Sequence, residues 1–140
     1  DMQGRATAMA NGDQAQAIGL GIEAVPAYNT SADKQQFHPQ GRDNGYILTI
    51  GGQRFYIAGD TEDTPEMRAL EDIAVAFLPM NLPYTMTVQQ AADAVADFRP
   101  ATVFPYHHRG SDVQEFARLV EASDAGSLVV IANWYPRGQG

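Results

Sequence analysis

Strand and helix signals alternate along the second half of the chain, and this alternation constrains the fold most strongly. The apolar run Ile73 to Met80 predicts a strand that is covered on both faces. A capping box at Thr87-Val88-Gln89-Gln90 then predicts a helix that ends before Pro100. The series continues with a strand at Ala101 to Phe104, a second capping box at Ser111-Asp112-Val113-Gln114 and a strand at Leu128 to Ala132. This order predicts an α/β protein with parallel strand pairing.

The first half has strand signals of a different kind. Apolar residues alternate from Ile18 to Ala24 and predict a strand that ends at Pro26, whereas residues 1–17 show no clear period and are expected to form a loose lead-in. Thr30 to Arg42 is polar and predicts a loop. Two β-rich runs, Tyr46 to Ile50 and Phe55 to Ala58, are joined by Gly51-Gly52 and predict a tight hairpin. Thr64 can cap a short helix that has Pro65 at its first position.

The size and charge of the chain limit the classes of function that it can have. The chain has 140 residues, which is the size of one domain, and its net charge of −8 disfavours nucleic acids and anionic membranes as partners. We therefore expect a soluble protein that acts on a small molecule, with the cytoplasm slightly favoured as its location. Because the chain has no cysteine, any metal would be held by histidine and carboxylate side chains.

Polar side chains that could carry chemistry follow the predicted strands. Asp60, Asn81 and the pair His107-His108 each come directly after one strand, and His38 lies in the polar loop. Reactive groups in α/β sheets collect at the carboxyl ends of strands. A carboxylate between imidazoles suits Zn²⁺, Mn²⁺ or iron, and water on such an ion can attack an ester, a lactone or a phosphate. Asp60 also fits a turn ahead of the Thr64 helix.

An ordered set of motifs resembles the C-terminal half of the metallo-β-lactamase superfamily, closest to predicted metal-dependent hydrolases that include the ascorbate-phosphate lactonase relatives. The set runs between Ile22 and Pro136 and comprises Gly59-Asp60-Thr61, Phe77-Leu78-Pro79-Met80-Asn81, Tyr84-Thr85-Met86-Thr87 before the Ala91-Ala92 helix, and Pro105-Tyr106-His107. The resemblance implies a single partial domain over residues 1–140. That domain would be the C-terminal half of the αββα sandwich, a β-hairpin followed by α-β-α-β-α-β.

The resemblance also implies roles for individual residues. Asp60 matches the aspartate that bridges two metal ions, and His107, 47 residues later, matches the last histidine ligand. His38 lies 22 residues before Asp60, similar to the family's middle histidine, and Asn29 after Pro26-Ala27 is a rival for that place. His108 is expected to stabilise a developing oxyanion. The implied cofactor is a divalent metal, Zn or Mn, and the implied activity is hydrolysis by metal-activated water.

One family signature is absent, and its absence separates two hypotheses. The motif His-x-His-x-Asp-His does not occur, and the chain has three histidines in all. We therefore expect weak metal binding by the chain alone and place the missing N-terminal half before Asp1. The alternative is an inactive half-domain that acts as a homodimeric binding or assembly module. A phosphatase loop of the haloacid-dehalogenase type at Asp60 to Thr64 is disfavoured, because its chemistry needs a downstream lysine and Lys34 lies upstream.

Overall fold

A seven-stranded mixed sheet organises the part of the chain that the computed structural model describes, residues 6–134. The strands are β1 (Gln14–Ala17), β2 (Leu20–Ala27), β3 (Asp43–Ile50), β4 (Gln53–Ile57), β5 (Ile73–Pro79), β6 (Thr102–Tyr106) and β7 (Leu128–Val129). The helices are α1 (Pro65–Arg68), α2 (Val88–Phe98) and α3 (Val113–Ala122).

The strands lie in the sheet in the order in which they occur along the chain. β1 to β4 pair antiparallel, and β4 to β7 pair parallel. The predicted α/β class and the parallel pairing in the second half are confirmed. The hairpin is confirmed too, since Gly51 and Gly52 have φ angles of 56° and 81°, which a two-residue turn of this kind requires.

Helix starts were predicted well, with one correction. The Thr64 side chain caps α1, and Thr87 and Gln90 form the complete capping box of α2. The cap of α3 is Asp112, whose carboxylate accepts from two backbone N–H groups, so the prediction of a box that starts at Ser111 was wrong. α2 ends at Phe98 as predicted, ahead of Pro100.

The N-terminal prediction was wrong in two respects. Residues 14–17 form the edge strand β1 instead of a loose lead-in, and residues 1–5 of that segment lie outside the described residues. Ile18 is almost fully exposed, with a φ of 46°, and belongs to the turn between β1 and β2. β2 therefore begins at Leu20 and continues through Pro26 to Ala27, because its partner β3 provides pairing along that whole length.

The helices cover one face of the sheet, and the main core lies between the helices and that face. Its largest fully buried apolar side chains include Tyr56, Leu78, Val95, Val103 and Phe116. β5 is buried on this face only. Val75 and Phe77 point to the other face and are only partly buried, so the prediction of a strand covered on both faces was wrong.

Aromatic side chains cluster on that other face. Phe77 stacks on Phe104 at 5.2 Å between ring centroids, and Trp134 packs edge-on against both rings. Ile57 on β4 pairs in register with Phe77 and is 36% exposed, and Trp134 is 42% exposed. We call the surface formed by Ile57, Phe77, Phe104 and Trp134 the open face. β7 ends at Val129, so the predicted strand to Ala132 was too long.

Candidate metal centre

Asp60 and His107 meet at the carboxyl ends of β4 and β6. Asp60 Oδ1 lies 2.8 Å from His107 Nδ1. His107 follows the last residue of β6 and has a φ of 43°. Residues other than glycine rarely adopt this left-handed backbone conformation. Strained backbone of this kind is concentrated at functional sites, where it fixes the direction of a side chain. The sheet and the turn after β6 thus bring together two residues that the sequence separates widely.

Asn81 fixes the other side of the His107 ring. Its side-chain nitrogen Nδ2 lies 3.0 Å from His107 Nε2. An amide nitrogen can only donate, so His107 Nε2 accepts and His107 Nδ1–H donates to Asp60. The sequence pointed to Asn81 as a strand-end candidate, but it carried no signal for this contact. A metal ion bound by His107 would replace one of these two hydrogen bonds.

His38 approaches Asp60 from the polar loop between β2 and β3. Its Nε2 lies 3.8 Å from Asp60 Oδ2, and its Nδ1 lies 3.3 Å from Asp43 Oδ2. Asp43 also accepts from Arg42, and that contact together with His38 holds the pKa of the Asp43 carboxyl below its usual value despite partial burial. A carboxylate on the far nitrogen is the usual arrangement of a metal-binding histidine, because it orients the ring. Asp43 is a site residue that sequence reasoning missed.

Two glycines allow the backbone to approach closely beside Asp60. A Cβ on Gly45 of β3 would lie 2.5 Å from the Ala58 carbonyl oxygen, and a Cβ on Gly59 would lie 2.9 Å from the Asn44 carbonyl oxygen. Gly59 also has a φ of 71°. No larger residue fits without moving the backbone. The end of β4 therefore turns toward the site at this point and delivers Asp60 next to the loop that carries His38.

The remaining candidates occupy different positions. Asn29 is buried and its Nδ2 donates to the carbonyl oxygens of Lys34 and Tyr84, while His38 is the residue that faces Asp60. His108 is partly buried, which lowers the pKa of its imidazole. The Lys34 ammonium lies 2.8 Å from Glu62 Oε1, in a polar cluster below the loop.

The types of side chain at this site are ones that bind divalent metal ions. Two imidazoles and a carboxylate suit Zn²⁺ and similar ions, and each ring is oriented by a second partner, Asp43 or Asn81. Within residues 6–134, however, no group of three or more His, Cys, Asp or Glu side chains is arranged to hold a metal ion. His38, Asp60 and His107 lie close together but do not by themselves make up such a group.

The open face adjoins His107. A cavity of about 360 Å³ is lined by Ile57, Phe77, Tyr106, His107 and Trp134. Burial and the nearby Asp60 carboxylate raise the pKa of the Tyr106 hydroxyl to about 12, so Tyr106 is neutral at ordinary pH. The apolar surface thus leads directly to His107. Among the described residues, no helix has the length and apolarity needed to cross a membrane.

Comparisons with known proteins agree with this architecture. The model of the β-lactamase superfamily domain matches residues 2–108. A metal-dependent hydrolase of Pyrococcus abyssi is 34% identical over an alignment of 122 residues that covers 81% of this chain and 52% of that protein.

Two solved structures are similar in fold. A metal-dependent hydrolase from Parabacteroides distasonis has a TM-score of 0.86 and 50% identity, over 91% of this chain and 57% of its own. The metallo-β-lactamase fold protein YhfI from Bacillus subtilis has a TM-score of 0.67 at 10% identity, over 90% of this chain and 51% of its own, which shows the fold alone. The chain thus spans about half the length of the relatives that it matches.

Proposed function

We propose that this chain, which belongs to the β-lactamase superfamily, supplies one side of the active site of a metal-dependent hydrolase. The observation that carries the proposal is the position of Asp60 between His38 and His107, with each ring held by a further polar partner. Histidines that bind a metal are usually oriented by a second polar partner of this kind.

The residues take distinct roles in this proposal. Asp60 would serve as the bridging carboxylate, and His38 and His107 as imidazole ligands, of a site for divalent ions such as Zn²⁺ or Mn²⁺. When bound, such an ion lowers the pKa of a water molecule and makes it a nucleophile near neutral pH. His38 and His107 must each bind through a ring nitrogen that carries no proton. Asp43 on His38 Nδ1 leaves His38 Nε2 for the metal, and a metal on His107 Nε2 would take the place of Asn81 Nδ2.

His108 and the apolar cavity would act on the substrate. Because burial lowers the pKa of His108, its ring is neutral at physiological pH, and a neutral imidazole N–H can donate a hydrogen bond to a developing oxyanion. The cavity beside His107 offers an apolar wall for the rest of a small molecule. We propose that the substrate class is an ester, a lactone or a phosphate ester.

The other side of the shell would come from a second polypeptide segment. Residues 1–140 form one partial domain in this proposal, and the open face is where a complementary N-terminal half of the fold would pack. The same surface favours the alternative function, a homodimeric binding or assembly module without activity. Light scattering on the dilute chain decides the alternative, because a mass that stays at protomer size contradicts a homodimer.

Metal content tests the main proposal. The chain is incubated with Zn²⁺, desalted and measured by plasma mass spectrometry, alone and after mixing with the N-terminal half of the Parabacteroides distasonis relative. We expect weak retention alone and strong retention in the mixture, with both lost in Asp60→Asn and kept in Asp93→Asn, a matched change on the exposed side of α2. If the mixture, once formed, turns over no ester, lactone or phosphodiester in a metal-dependent way, the proposal is wrong.

A further inference from the structure

Glu62 is a charged side chain with no solvent exposure, two residues after Asp60. Its Oε1 accepts from Lys34 Nζ at 2.8 Å and from Ser31 Oγ at 2.9 Å. Its Oε2 accepts from the Ser31 backbone N–H at 2.7 Å. Taking a carboxylate out of water is unfavourable unless hydrogen bonds and an opposite charge replace the water. Here both do, so the ionised form is held firmly in one place.

The cluster joins three segments that surround the site. Ser31 and Lys34 lie in the loop that carries His38, and Glu62 lies in the segment that carries Asp60. Lys34 Nζ also donates to the Thr85 carbonyl oxygen at 3.0 Å, in the turn that follows Asn81. Gln90 of α2 donates to Glu62 Oε1 at 3.2 Å and extends the cluster to the helix layer. The segments that hold His38, Asp60 and Asn81 are thus tied to one ion pair.

A second set of contacts carries this constraint along the loop to His38. The Asn29 backbone N–H donates to the His38 carbonyl oxygen at 2.8 Å, and Asn29 Nδ2 donates to the Lys34 carbonyl oxygen at 3.0 Å. Fixing Lys34 therefore fixes the backbone of both Asn29 and His38. Since the segment 30–42 has no regular secondary structure, such tertiary contacts must define its conformation.

Stability alone does not explain an ion pair at this position. Replacing a buried ion pair with apolar residues of similar volume is often neutral or stabilising. An ion pair with fixed hydrogen-bond geometry does provide direction, which a metal site needs because its ligands must be held to within about half an ångström. The cluster lies where that precision is needed, between the segments that hold His38 and Asp60.

We propose that Lys34 and Glu62 are positioning residues that hold the loop of His38 in register with Asp60 and thereby set the affinity of the metal site. This inference rests on the proposed function, because it assigns the ion pair a purpose in that site. Neither residue touches the metal or the substrate. Their effect on metal binding passes through His38 and disappears when His38 is removed.

Cobalt titration of the 140-residue chain tests the inference. Co²⁺ binding is followed by visible absorption in the wild type, Lys34→Met, Lys34→Arg and Glu62→Gln, each with and without His38→Ala. We expect Lys34→Met to weaken binding about 10-fold when His38 is present and to have no effect in the His38→Ala background. Lys34→Arg, which keeps the charge, restores most of the affinity. Glu115→Gln, which removes an exposed ion pair with Arg118, is the matched control and leaves the affinity unchanged.

A metal-free measurement separates this inference from the proposed function. If the wild type binds no Co²⁺, the metal site of the chain alone is wrong, and nuclear magnetic resonance then decides the positioning role. We expect Lys34→Met to abolish the cross-peaks between the His38 ring and the protons next to Asp60 and to speed exchange of the Asn29 amide. Unchanged cross-peaks and exchange in Lys34→Met and Glu62→Gln overturn the inference, as do equal losses of Co²⁺ affinity with and without His38. If Glu62→Gln fails to fold, the results for Lys34→Met alone decide the inference.

Discussion

Asp60 Oδ1 and His107 Nδ1 lie 2.8 Å apart although 47 residues separate them in the chain. The contact exists because β4 and β6 flank β5 and run in the same direction, so their carboxyl ends meet at one edge of the sheet. Every other group of the site is arranged around this pair. His38 comes from the loop before β3, and Asn81 comes from the end of β5.

Asp43 provides the first test, because it holds the far nitrogen of His38. We expect Asp43→Ala to weaken Zn²⁺ binding about 10-fold, since partners of this kind typically account for 10–100-fold in metal affinity. Competition with a chromophoric chelator measures the change. Asp97→Ala, which removes a carboxylate paired with Arg68 far along α2, is the control. Equal affinities for Asp43→Ala and the wild type would show that His38 is oriented by other contacts.

Gly45 provides a test of how the backbone places Asp60. We expect Gly45→Ala to lower the free energy of unfolding by about 2–4 kcal/mol, because its Cβ would lie 2.5 Å from the Ala58 carbonyl oxygen and the strands must separate. Urea denaturation measures the loss. Gly21→Ala is the matched change in β2, where the Cβ would meet only side-chain atoms, of Thr49 at 3.3 Å and of Gln16 at 3.4 Å. A Gly45→Ala protein as stable as the wild type would mean that the end of β4 moves freely.

The Glu62 ion pair predicts how stability depends on pH. Burial alone would raise the pKa of Glu62, but hydrogen bonds from Lys34, Ser31 and Gln90 outweigh it and lower the pKa to about 2, from an ordinary value of 4.5. A lowered folded pKa stabilises the protein above pH 4.5, and the stabilisation is lost as the pH falls toward 2. We expect the wild type to lose about 3 kcal/mol more than Glu62→Gln over that range in urea titrations. Parallel pH profiles for the two proteins would contradict the assignment.

Tyr56 provides a test in the core. Its ring is fully buried, its hydroxyl has no hydrogen-bond partner within the described residues, and burial raises the pKa of the phenol. A buried hydroxyl without a partner keeps its desolvation cost, so we expect Tyr56→Phe to be neutral or to stabilise the protein by about 1 kcal/mol. Calorimetric melting measures the change. A loss of more than about 1 kcal/mol would indicate a partner such as a buried water molecule.

Local sequence signals predicted most of the second half of the fold and the hairpin of the first half. The capping box at Thr87 and the Gly51-Gly52 turn depend on residues close together in the chain, and both were predicted correctly. The edge strand β1 was missed because Gln14–Ala17 has only small and polar side chains and pairs along one side only. The apolar run of β5 was interpreted as buried on both faces, because an apolar side chain does not reveal whether another layer covers it.

The site was predictable only in part for a similar reason. Asp60 and His107 were identified from their motifs, and the structure brings them together with His38. Their metal-binding roles stay predictions. The contacts of Asp43 with His38 and of Asn81 with His107 could not be predicted, because they depend on the tertiary fold. The Lys34–Glu62 pair spans 28 residues and leaves no local pattern.

The order of strands in the sheet has a consequence for how the protein folds. Each strand pairs with the one before or after it in sequence, so the described sheet can grow by local steps as the chain emerges from the ribosome. On the proposal that a complementary half of the fold packs over Phe77, Phe104 and Trp134, that packing is a separate and later event, and until it occurs the folded sheet exposes an aromatic surface that can aggregate. The yield of folded protein should therefore depend on how soon a partner reaches that surface.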